Sequence, residues 1–362
     1  MDYQPVEACL QALCRQAMPL SPAQSKRIAD VSIALLLAGE VNMSKIARFA
    51  KGAPQQDSRI RWIERLLQAP FMSQERVYQP MLGVALATFQ EQYWHLVIDR
   101  TTLWRGEIDL ATIALNYRKR AIPLVWVQVP FGGAPEATYI ALLQRCYPLV
   151  PAEAQVLFHG DTEFSSAAMI RMLRHLQWDF ILEQKSTTHY WCRGTSASQP
   201  LSSLPVKRQG SCERLNVDLF AHERIGALNI RGFYQSRYTQ SGKRQRERCY
   251  QATSLPLTVA SRRLGRRRWG TEPFYRDYKS SGWKLTCSEL RHPQRQEGLL
   301  IILALVYLWT VCLGRWLCKT GQRRLVDAKP HRHLSLCRLG WDWLIHQLRC
   351  DLPCPLLLRL YS

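Results

Sequence analysis

The sequence predicts a mixed α/β fold, with one central sheet flanked by helices, a β-rich insertion interrupting it, and an α-helical N-terminal domain. Three observations carry this expectation. Between residues 91 and 185, compact apolar runs ending in polar turns alternate with amphipathic stretches. From 186 to 260 the composition shifts to Ser, Thr, Gly, Gln and Arg with short alternating pieces. Residues 1–90 place their apolar side chains at helical spacing.

In the N-terminal domain, Val31 to Leu37 is an apolar run followed by Gly39, and Ser44 stands where it would cap a helix through Ala50. After Gly52-Ala53-Pro54 a second helix is expected from Asp57-Ser58. Ile60, Ile63, Leu66 and Leu67 recur along it, and Arg59, Arg61 and Arg65 fall on other faces. Two short helices about a turn, one of them basic, read equally as a DNA-binding module and as an ordinary helical subdomain.

The first part of the core, 91–185, opens with the strand Trp94 to Ile98, which stops at Asp99. Ile108 to Leu115 and Ile122 to Val129 are two further strands, antiparallel because their connection is short. Ala137 to Cys146 is a helix. Ala154 to His159 is a strand leading to Gly160-Asp161, and Ser165 or Ser166 opens a helix with Met169, Met172, Leu173 and Leu176 on one face. Trp178 to Leu182 is the fifth strand. The insertion, 186–260, includes the basic hairpin or loop Ser241 to Arg248. The second core part, 261–320, begins with the Arg-rich run 262–268 and holds the apolar run Leu299 to Leu313, shorter than the ~18–20 residues of a membrane span and therefore a core helix. Residues 321–362 read as a basic tail.

The charge narrows the function. Lys plus Arg is 49 against 28 Asp plus Glu, a net +21 in 362 residues. Such a surplus repels itself until a polyanion neutralises it, which points first to nucleic acid and second to an anionic membrane. Twelve tryptophans among the bases favour nucleic acid, because bases stack on indoles. No basic segment followed by an apolar core opens the chain, so no secretory leader is expected, and the twelve cysteines read as reduced thiols of a cytoplasmic protein. The His331, His333, Cys337, Cys350 and Cys354 group has the residue types of a zinc site but the spacing of no finger.

Three carboxylates carry the chemistry. Asp99 and Asp161 each end a buried strand, where α/β sheets present functional groups. Each alone is more often a turn residue or helix cap. Glu272 lies in a basic segment, four residues after Arg268 and seven before Lys279. In one continuous helix all three share a face; if the helix starts near Pro273, only Lys279 does. Three hard oxygen ligands suit Mg²⁺, and two such ions would activate an attacking water or 3′-hydroxyl and stabilise the leaving oxygen.

On these residues the chain resembles the DDE transposases of bacterial insertion sequences, in the insertion-sequence-four group, over roughly residues 30 to 315. Ile98-Asp99-Arg100-Thr101 matches the first acidic motif and Gly160-Asp161-Thr162-Glu163-Phe164 the second. Arg268-Trp269, Glu272 and Lys279 match the third at the right spacings. Gly265 stands where that motif has tyrosine, and Thr162-Glu163 where many relatives have Arg-Gly. The resemblance implies an RNase H-like core and cut-and-paste transposition through nicking, a DNA hairpin and strand transfer. It further implies Asp99, Asp161 and Glu272 as catalytic metal ligands for two Mg²⁺ or Mn²⁺ ions. Arg268, Trp269 and Lys279 become DNA-binding residues, with Trp269 stacking on a base. Double-stranded DNA, both the element's terminal inverted repeats and the target, would be the partner of a homodimer, in the cytoplasm at the nucleoid and with no membrane. The alternative is a transposase-derived DNA-binding protein that no longer cuts.

Overall fold

The computed structural model describes residues 3–208, 210–238, 244–259, 264, 270–279 and 282–361. Arg268, Trp269 and Gly265, with most of the Arg-rich run and residues 241–243 of the basic loop, lie outside the described residues. In chain order the elements are β1 (Tyr3–Pro5), α1 (Val6–Ala17), α2 (Pro22–Ala38), α3 (Met43–Phe49), α4 (Gln56–Leu67), α5 (Gln79–Leu86), β2 (Tyr93–Leu103), β3 (Ile108–Tyr117), β4 (Arg120–Pro130), α6 (Glu136–Cys146), β5 (Gln155–Gly160) and α7 (Ala167–His175). There follow β6 (Asp179–Gln184), β7 (His189–Trp191), β8 (Gln199–Pro200), β9 (Ser211–Leu219), β10 (Ile225–Tyr238), β11 (Arg244–Thr253), α8 (Thr271–Tyr278), α9 (Pro293–Lys319), α10 (Leu336–Arg349) and β12 (Pro353–Pro355). They form two compact units.

One unit comprises Met1–Glu91, Thr102–Ile108 and Tyr275–Ser362. Its centre is α9, apolar on every side and buried from Leu299 through Leu313, as a helix must be when no polar face exists to meet water. It is long and apolar enough to cross a membrane, but 94% of its most apolar window is buried by the protein itself. Helices α2, α4 and α10 pack against it. Residues 321–362, expected as a basic tail, instead carry α10 and β12. Leu336, Leu339, Trp341 and Leu344 of α10 are buried, and Trp341 stacks on Trp283 with ring centroids 4.5 Å apart. β12 pairs antiparallel with β1, Tyr3 opposite Pro355. The basic residues of this segment masked an apolar stripe that repeats with helical period.

Two finer corrections concern the N-terminal helices. The cap of α3 is Asn42, whose side chain accepts from the Lys45 N–H at 3.1 Å, so Ser44 falls inside the first turn. Arg59 of α4 donates to the carbonyls of Ala47, Ala53 and Pro54, which makes it the fastener of the Gly-Ala-Pro turn.

The other unit, Gln92–Thr101 with Asp109–Phe274, is built on a ten-stranded sheet of order β4-β3-β2-β5-β6-β11-β10-β9-β7-β8. β3 turns into β4 through Arg118 and Lys119, both at positive φ, the two-residue turn whose twist matches a hairpin. β2, β5 and β6 run parallel: Val97 pairs with His159, and His159 with Ile181. β11 then joins β6 antiparallel, Tyr250 opposite Gln184. The strands of 186–260 therefore extend the central sheet. Helix α7 is capped by Ser166, which accepts from the Met169 N–H. Cys9, Cys14, Cys146, Cys192, Cys212, Cys249, Cys312, Cys318, Cys337, Cys350 and Cys354 are free thiols.

The tightest helix contact yields a stability test. A Cβ on Gly340 of α10 would stand 1.9 Å from the Thr310 carbonyl oxygen of α9. Gly340→Ala gains about 1 kcal/mol of helix propensity, but overpacking costs about 1–3 kcal/mol, and a backbone oxygen that cannot rotate away places it at the upper end. Urea unfolding of the full chain should show net destabilisation.

Candidate active site

The parallel register of β2 and β5 fixes the position of the two aspartates. Val97 pairs with His159, the last pair of the β2–β5 ladder, and Asp99 and Asp161 each stand two residues beyond it along their chains. Parallel neighbours in register project to the same face, and adjacent strands lie about 4.8 Å apart. Asp161 keeps the extended backbone of its strand, with φ −82° and ψ −172°. Beneath the carboxylates on that face, the buried rings of His95 and His159 meet with Nδ1 and Nε2 3.4 Å apart. His159 is thus a core partner of another histidine.

Each carboxylate is oriented by the backbone that follows it. Asp99 Oδ1 accepts from the Arg100 N–H at 2.9 Å, and Asp161 Oδ1 accepts from the Glu163 N–H at 3.0 Å. The cap role that an aspartate at this position most often plays is therefore real, since Asp161 caps the single turn Thr162–Phe164. Asp99 Oδ2 takes a further bond from the Thr271 hydroxyl at 2.7 Å.

That bond ties the start of α8 to Asp99. Thr271 is buried at the start of α8, and Glu272, the next residue, is exposed. Pro273 falls in the first turn of α8, where its missing N–H interrupts no helical bond. The chain enters this helix through Gly270, where a Cβ would come within 2.9 Å of the Asn116 side chain on β3. A larger residue there would push the Asn116 side chain aside. Lys279 follows the helix, half-buried, its N–H bonded to the Tyr275 carbonyl at 2.9 Å.

Asp99 and Asp161 each lie two residues past the last β2–β5 pair, and the residue before Glu272 is in contact with Asp99. Among the described residues no group of three or more His, Cys, Asp or Glu side chains is gathered closely enough to hold a metal. The arrangement is an open one: Asp161 follows the end of β5, Glu272 sits at a helix start, and Asp99 lies within β2, which runs on to Leu103 instead of stopping at Asp99 as the apolar run Trp94 to Ile98 suggests. This suits Mg²⁺, which is commonly held by one or two carboxylates and completes its shell with water and phosphate oxygens.

Several residues here escaped the sequence reading. Glu163, known from the sequence only as part of the second acidic motif, has both oxygens occupied. Oε2 pairs with Arg100 Nε at 2.8 Å, and Oε1 accepts from the Tyr139 hydroxyl at 2.7 Å. Arg100 also pairs with the fully buried Asp109, whose Oδ2 accepts the Gly132 N–H at 3.0 Å as well. Burial pulls the Arg100 guanidinium down, but Glu163 and Asp109 outweigh it and hold it above its ordinary value. Burial and then the Glu163 carboxylate push the Tyr139 hydroxyl up to about 12. Arg100, Glu163 and Tyr139 line a pocket of about 420 Å³ together with Lys185 and Glu136. Its two cations face two carboxylates, so it carries no net charge to draw a phosphate. Glu183 is a further acid that the register reveals: one residue beyond the Gly160–Leu182 pair, it is level with Asp161. None of these has a local motif, because each partner is distant in sequence.

Comparison with known proteins adds the family. No curated protein matches the chain. Among solved structures, the chain is similar to piggyBac transposase in its cryo-EM synaptic complex with hairpin DNA, at 12% identity, covering 98% of this chain and 79% of that one with a TM-score of 0.44. At that score the likeness is too low to assign fold or chemistry. The Transposase DDE domain pattern matches residues 112–309, more than half of the chain. Asp161 and Glu272 fall inside that span and Asp99 precedes it. The chain belongs to the transposase DDE domain family.

Proposed function

We propose that the chain is a metal-dependent transposase that nicks the ends of an insertion sequence, passes through a DNA hairpin and joins the freed ends to target DNA. In this reading the ten-stranded sheet contains an RNase H-like core. The observation that supports the reading is the parallel pairing of β2 with β5 up to Val97 and His159, two residues before Asp99 and Asp161, with Thr271 bonding Asp99 from the helix of Glu272. Family membership and a net charge of +21 support it.

Asp99, Asp161 and Glu272 would hold one or two Mg²⁺ or Mn²⁺ ions. Ions bound there supply Lewis-acid stabilisation of the phosphodiester and lower the pKa of an attacking water or 3′-hydroxyl. The chain's own groups orient and bind. The Arg100 and Glu163 N–H groups and the Thr271 hydroxyl fix which way the aspartate oxygens point. Lys279, and Arg268 from the segment preceding α8, would hold phosphates flanking the cut, and Trp269 would stack on a base at the cleaved end. Two copies of the chain would pair the two terminal repeats before cleavage.

Nicking of double-stranded DNA carrying the element's own terminal repeats, assayed with Mg²⁺ or Mn²⁺, tests this. Asp99→Ala and Asp161→Ala are each expected to lower nicking by at least about a hundredfold while end binding persists. Activity that survives in Asp161→Ala contradicts the assignment. Wild-type protein that binds the ends and never cuts them identifies the non-cutting alternative.

Thr271 gives a graded test. Thr271→Val keeps the shape and loses a hydrogen bond to a charged group, worth about 1.5–3 kcal/mol. Nicking should fall about tenfold or more, and Thr271→Ser should retain most of it. Equal rates in Val and Ser variants would show that the hydroxyl does not orient Asp99.

A further inference from the structure

The two aspartates are joined by a continuous chain of bonds that does not pass between their side chains. Asp99 accepts the N–H of Arg100, and Asp161 accepts the N–H of Glu163. The side chains of those two donors are themselves paired, Arg100 Nε to Glu163 Oε2 at 2.8 Å. Arg100 follows Asp99 on β2 and so leaves the opposite face of the sheet. There, Asp109 of β3, the Gly132 N–H after β4 and Tyr139 of α6 close around the pair.

From this we infer that the Arg100–Glu163 ion pair is a positioning bracket that sets the separation and orientation of the Asp99 and Asp161 carboxylates from behind the sheet. The inference rests on the reading of those aspartates as metal ligands. Neither bracket residue touches the metal. Glu163 has one oxygen on Arg100 and the other on Tyr139, so its carboxylate is committed away from a ligand role.

The physical case is one of leverage. β5 ends at Gly160, and Asp161 caps the turn that follows. The turn Thr162–Phe164 holds it, and that turn is anchored through Glu163 and the buried Phe164. If Glu163 is released, the N–H that orients Asp161 moves with it. Arg100 is doubly fixed, because leaving the fully buried Asp109 without its cation is strongly unfavourable. Arg100 is thus the rigid end of the bracket and Glu163 the end that transmits position to Asp161. Outer-shell partners of metal ligands commonly control affinity by 10–100-fold, about the size expected here.

The test measures Mn²⁺ binding to the full chain without DNA, by the electron paramagnetic resonance signal of free Mn²⁺, alongside the Mn²⁺ dependence of nicking. Glu163→Gln is isosteric and removes the charge that holds Arg100. It should weaken Mn²⁺ binding about tenfold and raise half-saturating Mn²⁺ for nicking in parallel, with most of the rate restored at saturation. A merely structural loss would lower the maximal rate and leave half-saturation alone, and that result overturns the inference, as does unchanged Mn²⁺ affinity. Wild-type chain that binds no Mn²⁺ overturns the metal reading itself, and the bracket with it. Should Glu163→Gln fail to fold, Tyr139→Phe replaces it. Losing one bond to Glu163 should weaken Mn²⁺ binding about threefold, and unchanged affinity again overturns the inference.

Discussion

The pairing of β2 with β5 is the constraint on which the proposed chemistry depends. A slip of one residue would send every side chain of one strand to the other face. Asp99 and Asp161 would then stand on opposite sides of the sheet. Register is strongly specified here because both strands are buried: Trp94, Leu96, Val97 and Ile98 on one, Val156, Leu157 and Phe158 on the other. His95 and His159 add a polar check to the apolar one, since each buried ring finds the other only in this register. Core packing and carboxylate placement are therefore one property of the fold.

Around that register the molecule is built to deliver groups from distant parts of the chain. Gly270 passes close to Asn116 and delivers Thr271 to Asp99. Arg100 and Glu163, 63 residues apart, join β2 to the turn after β5 on the reverse face. The open character of the site follows from its origin in a strand, the turn after its neighbour and a helix start, which leave room for solvent and substrate oxygens around the carboxylates. A closed cage would suit a structural metal better than one that must receive a phosphodiester.

Much of this was legible in the sequence. The apolar runs of β2 to β6 marked the strands, and Asp161 directly after β5 could be read; Asp99 could not be placed, because β2 continues through polar Arg100 to Thr102 as far as Leu103. Pro273 marked the first turn of α8 by its own chemistry. What could not be read depends on long-range pairing. The Ser/Thr/Gly/Arg-rich texture of 186–260 suggested an insertion, yet β11 continues the central sheet because Gln251 and Ala252 find Glu183 and Leu182 across β6. The charge of 321–362 concealed the stripe that buries Trp341 against Trp283. Glu163 looked like a solvated acid because nothing near it in sequence announces Arg100 or Tyr139. Ser44 lost the capping position to Asn42, an equally good cap two residues earlier.

The central claim is that Asp99, Asp161 and Glu272 surround one divalent metal site. Fe²⁺ substituted for Mg²⁺ generates hydroxyl radicals that cut the polypeptide beside its ligands, so the cut positions report the site without reference to DNA. The account predicts backbone scission near residues 99, 161 and 272 together, suppressed by excess Mg²⁺ and lost in Asp161→Ala. Scission elsewhere, or at one of the three segments alone, would contradict it.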